Sequence, residues 1–305
     1  MGKQYSFKYI RRNSSHIFNI FLFFYLIFGF YLSVNTGIST DEFIEQKNWE
    51  FNLEAIKYFF GSSHDGYFNL LKYEWRFHGV GFHYISQIYL LLASLIVKFE
   101  GFSEEVSRIL LNHSLIFFTY FLSGIFARKI VNLLIRDKFF SNIFLVFYLF
   151  YPYLLGHGFY NPKDMPFLFV WILSTYISIR IFLKAYRKEY ISSSNIFFLA
   201  LSTSFLFSIR ISGILILLQY LITFIVTSKF IKESFYRIIK LYFYKVSLFF
   251  LFTLIMTFLF YPIFWKNPLL IFDSFNQMRN IPYGVCTLTL GRCMDALNLP
   301  SSYII

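Results

Sequence analysis

VGFHYISQIYLLLASLIV, Val80 to Val97, is the stretch on which the arrangement of the whole chain turns. Its length approaches the roughly 20 apolar residues that cross a bilayer core. However, His83, Gln87 and Ser94 fall within a narrow arc at about 100° per residue, so a helix here has one polar side. That pattern suits a helix lying along a membrane surface.

Charge chooses between the two readings. Counted as a crossing, the segment puts Arg128, Lys129, Arg136 and Lys138 outside the cell, together with Lys184, Arg187 and Lys188. Both clusters then break the rule that basic residues stay cytoplasmic. Laid on the outer surface, it returns both clusters to the cytoplasm, along with Lys229, Lys232, Arg237 and Lys240. Asn35 to Gly101 becomes one long outer loop. Its acids (Asp41, Glu42, Glu45, Glu50, Glu54, Asp65, Glu74, Glu100) outnumber its bases (Lys47, Lys57, Lys72, Arg76, Lys98).

Composition places the chain in a membrane: 57% of its 305 residues are hydrophobic and 14% charged, against about 25% charged in soluble domains. The net charge of +12 comes from short basic clusters at the ends of apolar runs. This is an orientation signal and excludes a nucleic-acid surface. The two cysteines, Cys286 and Cys293, are too few for a disulfide framework or a zinc site and allow at most one bridge in an outer loop.

The first crossing is Ile17 to Val34, preceded by Lys3, Lys8, Arg11 and Arg12, which puts the N-terminus in the cytoplasm. No small-residue cleavage site follows, so it reads as a retained anchor. Further crossings are Ile109–Ala127, Phe139–Leu155, Met165–Leu183, Ile196–Val226 and Leu241–Phe260. Ile196–Val226 is too long for one helix and divides near Arg210, Ser212 and Gly213. The expected fold is an all-α, polytopic bundle of about seven transmembrane helices, with two interfacial helices in an outer loop over residues 35–105. Residues 1–262 form the membrane module and residues 263–305 an outer loop leading toward further spans.

Two polar groups stand out in so apolar a chain. GHGFYNPKDMPF, Gly156 to Phe167, sets Asn161, Pro162, Lys163 and Asp164 between two apolar runs, in a turn at the outer surface. A charge left in the bilayer there would cost about 3 kcal/mol. GISTDEFIEQKNWEFNLEAIKYFF, Gly37 to Phe60, begins with Thr40 as a helix cap and Asp41 and Glu42 in the first turn, favourable against the helix dipole. Phe43, Trp49, Leu53, Ile56 and Phe60 then recur at helical spacing, so the acids form the helix's wet side.

The order of these pieces resembles the GT-C superfamily of integral-membrane glycosyltransferases, in particular the protein O-mannosyltransferase-like branch that includes the lipid A aminoarabinose transferases. The likeness rests on TDEFIEQKNWE (Thr40–Glu50), YEWRFHGVGFHYISQIYLL (Tyr73–Leu91), NPKDMPF (Asn161–Phe167), YPIFWKNPLLIF (Tyr261–Phe272) and ALNLPSSYI (Ala296–Ile304). The chain departs from the pattern where the family often has a basic residue and two prolines and this sequence reads His78, Gly79, Val80. It also ends before the family's later crossings, as a C-terminally short member.

The resemblance implies transfer of a sugar from a polyprenyl-phosphate donor to a glycan, glycolipid or protein acceptor at the extracytoplasmic face. Such a reaction needs a base for the acceptor's proton and positive charge for the departing phosphate. Asp41 is the expected base, with Glu42 beside it and Asp164 in the same cavity. Lys163, Arg210, Arg76 and His78 are the expected phosphate contacts, and Asn161 and His157 the substrate contacts. No Asp-x-Asp pair stands at Asp41, which leaves a divalent metal optional and no cofactor required. The rival readings are a transporter, whose substrate site would use broken helices, and a noncatalytic membrane subunit.

Overall fold

The structure, a computed structural model, describes residues 2–95, 101–231, 235–279, 286–289 and 292–295. It is helical apart from one hairpin, with elements α1 (Gly2–Val34), α2 (Thr40–Phe59), α3 (Gly66–Lys72), α4 (Gly81–Ala93), α5 (Glu104–Ile135), α6 (Lys138–Leu149), α7 (Pro152–Tyr160), α8 (Asp164–Tyr186), α9 (Ser193–Ile209), α10 (Leu215–Ile231), α11 (Phe235–Phe260) and α12 (Leu270–Arg279). Strands β1 (Cys286–Thr289) and β2 (Arg292–Asp295) pair antiparallel, with Cys286 opposite Asp295 and Cys293 opposite Leu288. Whether the two cysteines are bridged lies outside the described side chains, and Ala296–Ile304 lies outside the described residues.

Four described helices are long and apolar enough to cross a membrane: His16–Val34 within α1, α5, α8, and Tyr242–Phe260 within α11. The pair α6 and α7 makes a fifth if taken as one span, bent by 62°. Phe139–Leu155 is therefore not one straight crossing. Pro152 lacks an amide hydrogen and forces Tyr151 into an extended conformation (φ −67°, ψ 113°), so a new helix starts at the proline. The divided segment around Arg210 is present: α9 ends at Ile209, Arg210 is extended (φ −146°, ψ 134°), and Ile211–Ile214 forms a 3-10 turn into α10. Both halves are shorter than a full span. The protein is a polytopic helical membrane protein.

α5 is the axis of the bundle, packing against α1, α4, α6, α7 and α8, while α9 joins α8 to α11. Ile116, Phe117, Tyr120, Leu145, Leu149 and Leu206 are fully buried among these helices. Exposed Ile17, Phe23, Phe24, Ile27 and Phe28 line the outside of α1, a face suited to lipid. Some polar side chains within the bundle satisfy one another. Trp171 Nε1 donates to Gln219 Oε1 at 2.8 Å, and Gln219 Nε2 donates to Thr175 Oγ1 at 2.8 Å, tying α10 to α8.

The loop between α1 and α5 holds three helices rather than two, because α3 forms as well. α4 has only 13 residues, too few to span. Of its expected polar arc only Ser94 is exposed. His83 and Ser86 are buried, Gln87 Oε1 accepts from Trp49 Nε1 (3.2 Å) and from Arg108 Nη2 (2.9 Å), and the apolar Ile85, Ile88, Leu91 and Leu92 face outward. The acids of α2 are likewise not all on a wet side. Its buried face carries Glu42, Asn48, Trp49, Asn52 and Ala55, while Phe43 and Phe60 are exposed. Ser39, one residue before Thr40, is its N-cap.

A second cluster of Ala55, Leu70, Phe77, Tyr261, Ile263 and Phe264 holds α2 and α3 against the segment after α11. Tyr67 Oη closes this contact by donating to the Ile263 carbonyl at 3.2 Å.

Candidate functional site

Asn161 organises the turn between α7 and α8. The following proline holds it extended (φ −83°, ψ 102°), and its backbone N–H donates the first hydrogen bond past α7, to His157 O at 2.9 Å. Its side-chain Oδ1 accepts from the backbone N–H of Lys163 (3.1 Å) and of Asp164 (2.8 Å). Those two donors fix the amide orientation, so Nδ2 is the donor to both Asp164 Oδ2 and His157 Nδ1, each at 3.0 Å. His157 therefore carries its proton on Nε2 when neutral. Asn161 and His157 are both in the site, as scaffolding for Asp164.

Asp164 sits in the first turn of α8, where a carboxylate is favoured by the helix dipole. Its Oδ1 is 2.8 Å from Arg210 Nη2. Arg210 occupies the break after α9, at the dipole's negative end, where a cation is favoured. Lys163 Nζ donates to Glu45 Oε1 on α2 at 2.6 Å. Two cations and two carboxylates from three separate parts of the chain thus meet as a neutral quartet. The Lys163–Glu45 pair is the drier, at 19% and 12% side-chain exposure, against 42% and 38% for Arg210 and Asp164.

His78 joins them. Burial lowers its pKa to about 4; Lys163 and Arg210 push in the same direction and Glu45 opposes them, so the ring is neutral. Its position depends on Gly79 and Gly81. A Cβ at Gly79 would collide with the carbonyls of Ser208 and Ile209, and one at Gly81 with the Ser208 hydroxyl. The two glycines let the backbone lie against the end of α9.

The other expected residues fall elsewhere. Glu42 is buried: its Oε1 lies 2.5 Å from His113 Nε2, and its Oε2 accepts the Ser39 amide at 2.6 Å. It holds α2 to α5 rather than facing solvent with Asp41. Arg76 turns away from the quartet. Its Nη1 donates to the Tyr73 carbonyl at 3.3 Å, its guanidinium lies 4.9 Å over the Phe77 ring, and it lines a cavity with Asp273 and Asn276. Asp41 is exposed and makes no side-chain hydrogen bond or ion pair among the described residues. It stands four residues before Glu45 on the same face of α2.

Sequence reasoning missed Glu45 and His113. Glu45 was one acid among several in the outer loop, although its spacing from Asp41 was a usable signal. His113, an ionisable residue inside the apolar run Ile109–Ala127, was a direct one.

Among the described residues no group of three or more His, Cys, Asp or Glu side chains is arranged to hold a metal. An apolar groove of about 590 Å³ runs between α4, α8, α9 and α11, from Tyr84 and Phe169 past Ile177 and Phe198 to Arg180 and Lys184. Phe169 is five residues into α8 from Asp164, about 7.5 Å along the axis. The Phe169 end of the groove is therefore within about one and a half helical turns of Asp164 along α8.

No family model, curated protein or solved structure matches this chain. Fold and site together define a polytopic helical membrane protein with a charged cluster at the ends of α7, α8 and α9, closed on one side by α2.

Proposed function

We propose that the protein is a membrane glycosyltransferase that moves a sugar from a polyprenyl-phosphate donor to an acceptor at the extracytoplasmic face. The observation that carries this reading is the meeting of Glu45, Lys163, Asp164 and Arg210, with an apolar groove of about 590 Å³ further along α8. In this topology the N-terminus is cytoplasmic, α9 and Ile211–Val226 serve as two short crossings in a total of seven, and α2, α3 and α4 lie at the outer surface.

The chemistry follows from which groups are committed. Glu42, Glu45 and Asp164 each have a cationic or imidazole partner, whereas Asp41 has none among the described residues. Asp41 takes the proton of the acceptor hydroxyl as its oxygen attacks the anomeric carbon. The bond from that carbon to the phosphate oxygen breaks, and Arg210 and Lys163 receive the charge that develops on the phosphate. Because both cations already hold carboxylates, the phosphate must share or displace Asp164 and Glu45.

The test is transfer from radiolabelled polyprenyl-phosphate sugars to membrane acceptors. Asp41→Asn is expected to lose about a hundredfold or more, the usual scale for removing a general base. Asp164→Asn is expected to lose activity as well. Transfer unchanged in both variants removes the glycosyltransferase reading. The discontinuity at Arg210 would then favour a transporter, for which broken helices form substrate sites.

A further inference from the structure

A second cavity, of about 540 Å³, lies on the outer-loop helices and is lined by Ile44, Lys47 and Phe51 of α2, Asn69 and Lys72 of α3, and Tyr73, Glu74 and Trp75 after α3. Its volume falls in the range of small-molecule sites, about 300–1,000 Å³. Phe51 and Tyr73 stack with centroids 4.3 Å apart. The segment carrying Tyr73 and Trp75 is held by backbone bonds from Arg76 N to Tyr73 O (3.3 Å) and from His78 N to Trp75 O (2.9 Å). Gln277 of α12 donates to the Glu74 carbonyl at 2.9 Å. The aromatic wall is thus preformed.

The charge here is unlike that of the quartet. Lys47 and Lys72 are exposed and make no ion pair or side-chain hydrogen bond among the described residues. With Glu74 the lining carries one excess positive charge. Paired lysines would contribute little, but two uncommitted ammonium groups on one concave wall concentrate anions. An ammonium is also a standard point-charge partner for phosphate.

Two of the cavity's wall residues, Tyr73 and Trp75, adjoin the surroundings of the quartet. Burial raises the Tyr73 pKa, and the charge of Glu45 raises it further, with Glu74 adding to the effect. The Trp75 ring lies 4.8 Å from His78, whose proton affinity Lys163 and Arg210 depress.

We infer that this cavity binds a phosphorylated saccharide, with its ring against the Trp75 and Tyr73 walls and its phosphate between Lys47 and Lys72, as the acceptor waiting beside the quartet. Sugar rings present apolar C–H faces that pack on aromatic walls and hydroxyls that need partners such as Asn69 and Glu74. Inorganic phosphate would use only the lysines, and a neutral sugar only the wall and the two polar groups. The acceptor role rests on the glycosyltransferase reading; binding itself does not.

The experiment uses the full chain in phosphatidylcholine nanodiscs, without donor, titrated calorimetrically with glucose 1-phosphate, glucose and inorganic phosphate. Glucose 1-phosphate is expected to bind at least about tenfold more tightly than either other probe. Lys47→Gln/Lys72→Gln should weaken it about tenfold or more, and Trp75→Ala should do the same. The lysines are exposed, so an unchanged thermal midpoint identifies their effect as loss of contact. Equal binding by wild type and the double-lysine variant, phosphate binding as tight as that of glucose 1-phosphate, or no binding at all overturns the assignment. Saccharide binding with no sugar transfer would defeat only the glycosyltransferase reading. Transfer with no saccharide binding would defeat only this one.

Discussion

His113 and Glu42 share a single proton. His113 Nδ1 lies 3.0 Å from the Ser33 carbonyl, which can only accept, so Nδ1 is a donor. The contact from Nε2 to Glu42 Oε1, at 2.5 Å, then contains one proton, whether the pair is imidazolium–carboxylate or imidazole–carboxylic acid. Either way the pair is neutral overall, with both side chains buried, and it ties the end of α1 and the start of α2 to α5.

The consequence is an asymmetric pair of mutants. In Glu42→Gln the amide N–H donates to Nε2 and the amide oxygen still accepts from Ser39, so the expected cost is under about 1 kcal/mol. In His113→Leu a buried carboxyl loses its partner, which costs about 3–5 kcal/mol. Thermal midpoints of the two variants in detergent check this. Equal losses would show that the site depends on full ionic charge.

Arg210 and Asp164 call for the opposite profile. Their pair is over a third exposed, and such pairs contribute about 0–1 kcal/mol to stability. Arg210→Gln is therefore expected to melt within a few degrees of wild type while losing at least about tenfold in sugar transfer. A variant that unfolds without a specific loss of transfer would make the arginine a structural strut.

How much of this was legible in the sequence differs from element to element. The break at Arg210 was readable, because a charge followed by Ser212 and Gly213 inside an apolar run has few other uses. The short reach of α4 was readable from the placement of basic clusters. Its orientation was not, because helical periodicity reports that His83 and Gln87 share a side without saying whether water or Trp49 covers it. For the same reason Glu42 and Asp41 looked equivalent as neighbours, although adjacent helical residues point about 100° apart and only one reaches His113. Pairings such as Lys163 with Glu45, separated by more than a hundred residues, depend on tertiary packing that no local pattern encodes.

The glycines at 79 and 81 differ in what blocks a side chain. At Gly79 the obstacles are backbone carbonyls of Ser208 and Ile209, which cannot rotate away; at Gly81 the nearest is the Ser208 hydroxyl. Overpacking of this kind costs about 1–3 kcal/mol. Gly79→Ala is expected at the upper end, with transfer reduced because His78 moves from Lys163 and Arg210. Gly81→Ala should be milder and partly relieved by adding Ser208→Gly. Transfer rates and thermal midpoints of the three variants measure the ordering, and a Gly79→Ala protein indistinguishable from wild type would contradict the close approach.

The neutral histidines set an acid limit on stability. His78 is held near a pKa of about 4 by burial and by Lys163, and His83, buried against Trp49, near about 3 by the same two causes. An unfolded histidine titrates near about 6.5. Between those values the unfolded chain binds protons that the folded chain does not, so stability rises with pH and is lost as pH falls below about 6.5. The loss from His78 levels off near its folded pKa, and above about 6.5 neither residue contributes a slope. Each adds at most about 1.4 kcal/mol per pH unit, and His78, only partly enclosed, adds less. Thermal midpoints recorded from about pH 8 to about pH 4 should be flat at first and then fall. His78→Asn, which has no proton to gain, should fall less steeply between about pH 6.5 and 4.5. Parallel curves for variant and wild type would mean that His78 takes up its proton in the folded protein, against the combined effect of its burial and the two cations beside it.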